Sequence, residues 1–269
     1  MAILKIGSFN IKNTLNKKDS INNAKVIAQI IKEENIDILG TQELTKYSEI
    51  ELNKNLEDYK CYGSYRLGKY LFKNSKFNEN NIIITNKKVT ENKTIWLPWI
   101  AKNFSDLKKS IIKKSIMPRI ATIITINDQE LGKIKMINTH LDHKIINIKE
   151  KQLEKIKNLI EKTEKNYQII LTGDFNLQEK DEVFQKFIKD LEQLNMKKVI
   201  IEENTWIGKN GKERQIDHIF IPNTWKILEK GILNNKEISD HKPIYVKVEI
   251  SEKKKKLSFI AKIKKKLFK

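Results

Sequence analysis

The sequence predicts an α+β fold built on mixed β-sheets. Short apolar runs that read as buried strands recur at ILKIGSF, DILGTQ, NNIIIT, IATIITI, KIKMINT, QIILTGD, QIDHIFI and PIYVKVEI, several rich in isoleucine and threonine. Helical periodicity separates some of these runs early and late in the chain. Between Asn81 and Thr139, strand follows strand. That pattern argues for mixed sheets over a simple parallel one, and two sheets covered by outer helices fit it.

Taken in order, the first run is followed by a helix with Ile21, Ala24, Ile27 and Ile31 on one side, and Asp19 or Ser20 is positioned to cap it. A second helix runs from Ile145 to Lys162, with Ile156, Leu159 and Ile160 on its apolar face, and a third from about Asp181 to Leu194. The segment Ala101 to Lys114 is lysine-rich and poorly periodic, which predicts a surface loop over which substrate could lie. Residues 1–250 form one expected domain, since no Gly-, Pro- or Ser-rich linker divides them. Residues 251–269 are a separate electrostatic object, carrying nine lysines and one glutamate, or +8 of the chain's formal charge. As a helix this tail would align Leu257, Ile260, Ile263 and Leu267, giving a basic amphipathic face suited to an anionic membrane or nucleic acid; otherwise it is a solvated end.

Charge and cysteine usage narrow the function classes. The 269 residues include 53 Lys and Arg against 34 Asp and Glu, a net charge of +19. Only three of the cations are arginine, and heavy use of Ile, Asn and Lys accounts for part of the excess as codon bias. A field of that sign still concentrates polyanions. Cys61 is the only cysteine, which rules out an intramolecular disulfide and a C-x-x-C metal site and suits a reducing cytoplasm. The N-terminus has no secretory pattern, and no run reaches the length of a membrane span.

The chemistry-bearing residues cluster where apolar runs end. GDFN places Asp174 and Asn176 two positions apart after Ile169–Leu171, a spacing that sends both side chains to one side of a sheet end. Ser239-Asp240-His241 precedes the last strand, and Asp217-His218 lies inside a strand-like run where a buried acid needs a partner. Asn138-Thr139-His140-Leu141-Asp142-His143 closes another strand, while Asn10 and the pair Gln42-Glu43 close the first two. Imidazole titrates near neutrality, so repeated His and Asp at strand ends supply acid, base or phosphate contacts. An oxygen-rich ligand set without cysteine or an HExxH spacing suits a hard cation, Mg or Mn, over zinc.

Asn10, QE at Gln42 and Glu43, THLDH from Thr139, GDFN from Gly173, ID at Asp217 and SDH from Ser239 stand in the order found in the endonuclease/exonuclease/phosphatase superfamily, typified by pancreatic deoxyribonuclease, and the chain resembles that superfamily over nearly all of its length before the basic tail. The resemblance implies a four-layer α/β sandwich of two packed mixed sheets flanked by helices, with the site at one edge. It makes Glu43 the principal metal ligand, supported by Asn10 and Asp240. Asp174 would orient or deprotonate the attacking water or hold a second metal, and Asn176 would contact phosphate. Asp217 would orient His241, which acts as base or contacts the scissile phosphate. His140 would protonate the leaving oxygen with Glu79 as its partner, and Arg119 would lie near the phosphate. Two departures are informative: His140 stands where the abasic-site repair branch usually has tyrosine, and His218 replaces a tyrosine common after the family aspartate. His218 and His143 are expected to be structural.

The resulting expectation is a magnesium-dependent phosphodiester hydrolase, a nuclease on DNA or RNA that acts as a cytoplasmic monomer, with the tail able to meet an anionic membrane. The other readings are a phosphoesterase on a lipid headgroup or small phosphorylated metabolite, and a silent nucleic-acid-binding module of the same fold.

Overall fold

The computed structural model describes residues 1–67, 78–100, 117–234 and 237–250. The predicted loop at 101–114 lies outside the described residues, and so does the tail from 251. The first half runs β1 (Ala2–Asn10), α1 (Lys17–Glu33), β2 (Ile38–Gln42), α2 (Lys46–Asn55), β3 (Lys60–Tyr62), β4 (Ile83–Thr85), β5 (Val89–Trp96), β6 (Ile120–Asp128) and β7 (Gly132–His140). The second half continues with α3 (Ile146–Glu161), β8 (Gln168–Asp174), α4 (Glu182–Gln193), β9 (Met196–Lys198), β10 (Trp206–Ile207), β11 (Glu213–Arg214), β12 (Asp217–Pro222), β13 (Lys226–Ile232) and β14 (Ile244–Ile250).

These strands form two six-stranded mixed sheets, ordered β13-β14-β1-β2-β4-β3 and β5-β6-β7-β8-β12-β9, with β10 and β11 as a separate two-stranded ribbon. Strand alternation divides the apolar residues into three cores and hence four layers. Leu4, Ile6, Ile38, Ile134, Met136, Ile170, Ile219, Val246 and Val248 fill the space between the sheets. On the outer face of the first sheet, Phe9, Leu39 and Ile84 receive Ile27 and Ile31 of α1 and Leu52 of α2. Opposite, Ile137, Leu171 and Phe220 receive Leu153 and Ile156 of α3 and Phe184 and Phe187 of α4.

Helices α3 and α4 lie within one residue of their predicted limits because their apolar faces are wide and regular. The first helix starts earlier than expected: Asn16 is its cap, its side chain accepting the Lys18 N–H, while Asp19 sits in the first turn where a negative charge favours the helix dipole. Helix α2 is an addition to the expected elements, since only Ser48 and Leu52 of its ten residues are buried; Thr45 caps it through the Ser48 N–H. The edge strands β5 and β13 are additions for the same reason, each offering mostly polar or half-exposed positions.

Candidate active site

The inward faces of the central strands change from apolar to polar at a single end of the sandwich. In β1 the inward sequence Leu4, Ile6, Ser8, Asn10 ends in an amide, and in β7 Ile134, Met136, Asn138, His140 ends in an imidazole. Ile170, Thr172 and Asp174 do the same in β8, whereas antiparallel β12 begins with Asp217 and continues into Ile219 and Ile221. Register aligns these ends: His140 pairs with Asp174, Asp174 with Asp217, and Asn10 with Gln42. Beneath them lies a buried polar layer in which Gln42 Nε2 donates to Asn138 Oδ1 at 2.7 Å and Thr172 Oγ1 donates to the same oxygen at 3.2 Å. Gly40 makes this layer possible, because a Cβ there would lie 2.4 Å from Thr172 Oγ1 and 2.7 Å from Asn138 Oδ1.

Asp174 is the hub. Its Oδ2 accepts from Asn10 Nδ2 at 3.0 Å and faces His140 Nε2 at 3.4 Å and His241 Nε2 at 3.8 Å, while its Oδ1 accepts the Asn176 N–H at 2.9 Å. His241 Nδ1 donates to Asp217 Oδ2 at 2.9 Å, and that same oxygen receives the Thr205 hydroxyl at 2.6 Å. The acid and imidazole pair expected from Asp217 and His241 is therefore formed. His140 is paired differently from expectation. Arg119 Nη1 donates to its Nδ1 at 3.0 Å, which leaves the ring proton on Nε2, directed at Asp174.

Glu79 is not the partner of His140. Arg66 Nη1 takes its Oε2 at 2.8 Å and Asn13 Nδ2 donates to its Oε1 at 3.1 Å, so both oxygens are committed elsewhere. Asn13 also links Glu79 to the site, since its backbone N–H donates to Glu43 Oε2 at 2.9 Å. Glu43 follows the last residue of β2 with a left-handed φ of 62°, a break in strand alternation that turns its carboxylate toward Asn10 Nδ2 at 3.4 Å. Asp240 accepts from Lys12 Nζ at 3.0 Å. Asn176, also left-handed with φ 51°, donates from Nδ2 to Leu141 O at 3.2 Å and lines the cleft. Glu43, Asn10, Asp174, Asp240, His140, His241, Asn176 and Arg119 thus meet at one place. His143 lines the cleft as well.

His218 faces the other way. It lies among Phe175 and Phe184 on the helix side of β12, and its Nε2 donates to Leu177 O at 2.9 Å, a satisfied core histidine. Burial holds its pKa down, to about 3. The site imidazoles diverge from it and from each other. Burial, the Arg119 charge and the nearby cationic groups press His140 well below its ordinary value, so it is neutral. Burial also opposes charge on His241, but the Asp217 carboxylate outweighs it and raises the ring to about 9. Asp174 is raised to about 6, chiefly by burial and against the pull of His241. One neutral imidazole, one imidazolium and a carboxyl near neutrality around a single oxygen form an arrangement for moving protons at an anion.

Lys12, Asn13, Arg66, Thr205, Trp206 and Arg214 carry no motif in the sequence, because they come from loops and the β10–β11 ribbon. Thr205 accepts the N–H groups of Ile216 and Asp217 at 3.1 Å each, and Ile207 N donates to Asp240 O at 2.9 Å, so the ribbon is tied to two motifs at once. Trp206 and Arg214 of the ribbon join Lys12, Arg119 and Asn176 around an open cleft of about 390 Å³.

The donor set fits a divalent cation. Asp174 and Asp217 bring carboxylate oxygens within 4.8 Å of each other and of the His241 ring, and Asp217 Oδ1 is buried with no partner among the described residues. Glu43 and Asp240 add hard oxygen donors close by, facing the Asn10 amide nitrogen and the Lys12 ammonium, and Asn10 Oδ1 accepts the Lys12 N–H.

The model of the Endonuclease/Exonuclease/phosphatase family matches residues 7–241. No curated protein matches the chain. Among solved structures, an endonuclease/exonuclease/phosphatase from Bacteroides vulgatus superposes with a TM-score of 0.74 at 21% identity, over 93% of this chain and 100% of that one. A mannosyl-6-phosphatase from Bacteroides thetaiotaomicron gives 0.71 at 22% identity, over 92% and 100%. D. rerio TDP2 in complex with a single-strand DNA product gives 0.68 at 17% identity, over 93% and 100%. These likenesses establish the four-layer fold.

Proposed function

Since the chain belongs to the Endonuclease/Exonuclease/phosphatase family, whose members hydrolyse phosphoester bonds and generally depend on a divalent metal, we propose that it is a magnesium-dependent phosphodiester hydrolase acting on nucleic acid. One observation carries the hydrolase reading: a carboxylate raised to about 6 stands between a neutral imidazole and an imidazolium raised to about 9, all on one sheet edge.

Each residue then has a task. The His241 imidazolium, held by Asp217, donates to a phosphate oxygen as negative charge grows on it, and Asp174 orients the attacking water or takes its proton. His140 Nε2–H faces the same space and can protonate the departing oxygen, while Arg119, already bound to its other nitrogen, keeps that proton in place. Asn10, Glu43 and Asp240 would hold the magnesium ion, with manganese the nearest substitute, and Asp174 or the free oxygen of Asp217 could complete the set. When bound, the ion would neutralise charge developing on the phosphate.

The polynucleotide reading is supported by the +19 charge and by a cleft that presents Lys12, Arg119, Arg214 and an indole ring beside the acids. The likeness to a mannosyl-6-phosphatase favours the rival, a small phosphomonoester. Incubation with Mg and labelled single- and double-stranded DNA and RNA, alongside a panel of sugar phosphates and lipid headgroups, separates the two. The expected result is cleavage of nucleic acid that EDTA stops and Asp174→Ala abolishes. Equal cleavage by that variant would refute the assignment, and turnover of a sugar phosphate or headgroup alone would move it to the rival substrate. Action within the reducing cytoplasm fits the single cysteine.

A further inference from the structure

We infer that Arg214 forms a second phosphate subsite beside the reacting centre, selecting substrates that carry another phosphate next to the scissile one. The inference rests on the nucleic-acid reading above and sharpens it.

The three arginines of the chain meet different fates. Arg66 is buried in an ion pair with Glu79, and Arg119 donates to His140. Arg214 lines the same cleft, yet its Nε is buried with no hydrogen-bond partner, and the guanidinium forms no ion pair among the described residues. The Trp206 ring lies 5.6 Å from the guanidinium carbon. A buried N–H without an acceptor is costly, and a planar fork of donors in a cleft full of hydrolytic groups is matched by a phosphate.

The backbone holds Arg214 ready for that ligand. Thr205 N donates to Arg214 O at 3.0 Å, Trp206 lies opposite Arg214 in the ribbon, and the ribbon is fixed to Asp217 through Thr205 and to Asp240 through Ile207. The guanidinium is therefore placed by the same framework as the reacting groups. Arg119 immediately precedes β6, and Arg214 in the ribbon lies three residues before β12; those two strands are three positions apart in the sheet order, roughly 14 Å at strand spacing, with His140 and Asp174 on the strands between. Arg119 is thus on the His140 side of the reaction and Arg214 on the Asp217 side. A polynucleotide offers phosphates on both sides of the bond to be cut; a lone diester does not.

The test is a cycle that removes the phosphate from the substrate and the guanidinium from the enzyme. Wild-type protein, Arg214→Gln and Arg214→Lys are assayed with Mg on the dinucleotide dTpdT, on the same dinucleotide bearing a 5′ or a 3′ terminal phosphate, and on bis(4-nitrophenyl) phosphate. The wild type should prefer one phosphorylated dinucleotide over dTpdT by about 10- to 100-fold in kcat/KM, the worth of a charge-assisted hydrogen bond. Arg214→Gln should bring that ratio close to one, and Arg214→Lys should restore part of it. Because the ratio is taken within each protein, a partly misfolded variant leaves it unchanged. A wild type without the preference, or an Arg214→Gln protein that retains it, overturns the subsite and leaves the hydrolase reading standing. Turnover of bis(4-nitrophenyl) phosphate with no dinucleotide cleaved overturns the nucleic-acid reading and this subsite together.

Discussion

Replacing Asp217 with asparagine removes the group that keeps His241 charged. Burial lowers an imidazole while Asp174 and Asp240 still favour its charge, so in Asp217→Asn the ring should titrate well below about 9, which nitrogen-15 NMR of the imidazole reads directly. The sign for stability follows. A folded-state pKa raised above the unfolded one gives stability that is full below about 6.5 and lost as pH climbs through about 9, so the variant should be less stable than the wild type below about 6.5, with the difference fading as pH climbs through about 9. A ring that still titrates near 9 would show that Asp217 is not the cause. Activity should follow the same groups. Without a proton-accepting Asp174 the reaction slows, so kcat/KM should rise through about pH 6 and fall as His241 loses its proton near 9. The apparent values belong to the coupled cluster, and a bound cation would move the acid limb lower by favouring the carboxylate. A flat profile between about pH 5 and 10 would remove both groups from the reaction.

At the level of elements, strand-end chemistry is legible in the sequence and its support is not. Asn10, His140, Asp174 and Asp217 stand out because each interrupts an inward apolar stripe, and period-two alternation predicts which face they share. Alternation also explains His218, which is one residue from Asp217 and therefore on the opposite, helix-facing side. Glu79 defeats the same reasoning, because Arg66 and Asn13 reach it from loops whose spacing in sequence carries no periodic signal. Thr205 is hidden for a similar reason: an isolated threonine before Trp206 shows nothing of the two backbone N–H groups it accepts. The contrast between faces is testable. His218→Leu leaves the Leu177 carbonyl without its donor and should cost about 1–3 kcal/mol of stability, while kcat/KM changes by less than about threefold. Gly40→Ala acts from the opposite side: its methyl meets Thr172 and Asn138 in the layer that supports Asn10 and Asp174, and should cost about 1–3 kcal/mol together with activity. Denaturant midpoints and steady-state kinetics on both proteins decide it, and loss of activity in His218→Leu with stability unchanged would place that histidine in the chemistry.

For the whole molecule, the question is how a charge of +19 divides between the folded unit and the end of the chain. The proposed ligand and proton-handling residues lie between Asn10 and His241, whereas +8 of the charge belongs to residues 251–269. Chemistry and polyanion attraction should therefore separate when the chain is cut after Ile250. Lysines outside the cleft act through phosphate neutralisation and counterion release, so each phosphate left without its lysine reduces the slope of log affinity against log salt by about 0.7 to 0.9. The shortened protein should hydrolyse bis(4-nitrophenyl) phosphate at the rate of the full chain, bind DNA and phosphatidylserine vesicles more weakly, and show a shallower salt dependence with both. Weaker binding to DNA alone would tie the basic end to the substrate, and weaker binding to vesicles alone would tie it to a membrane surface. If both affinities and both slopes stayed unchanged, the +8 would be a solvated end, and the attraction for polyanions would have to come from the cleft and the lysines of the folded domain.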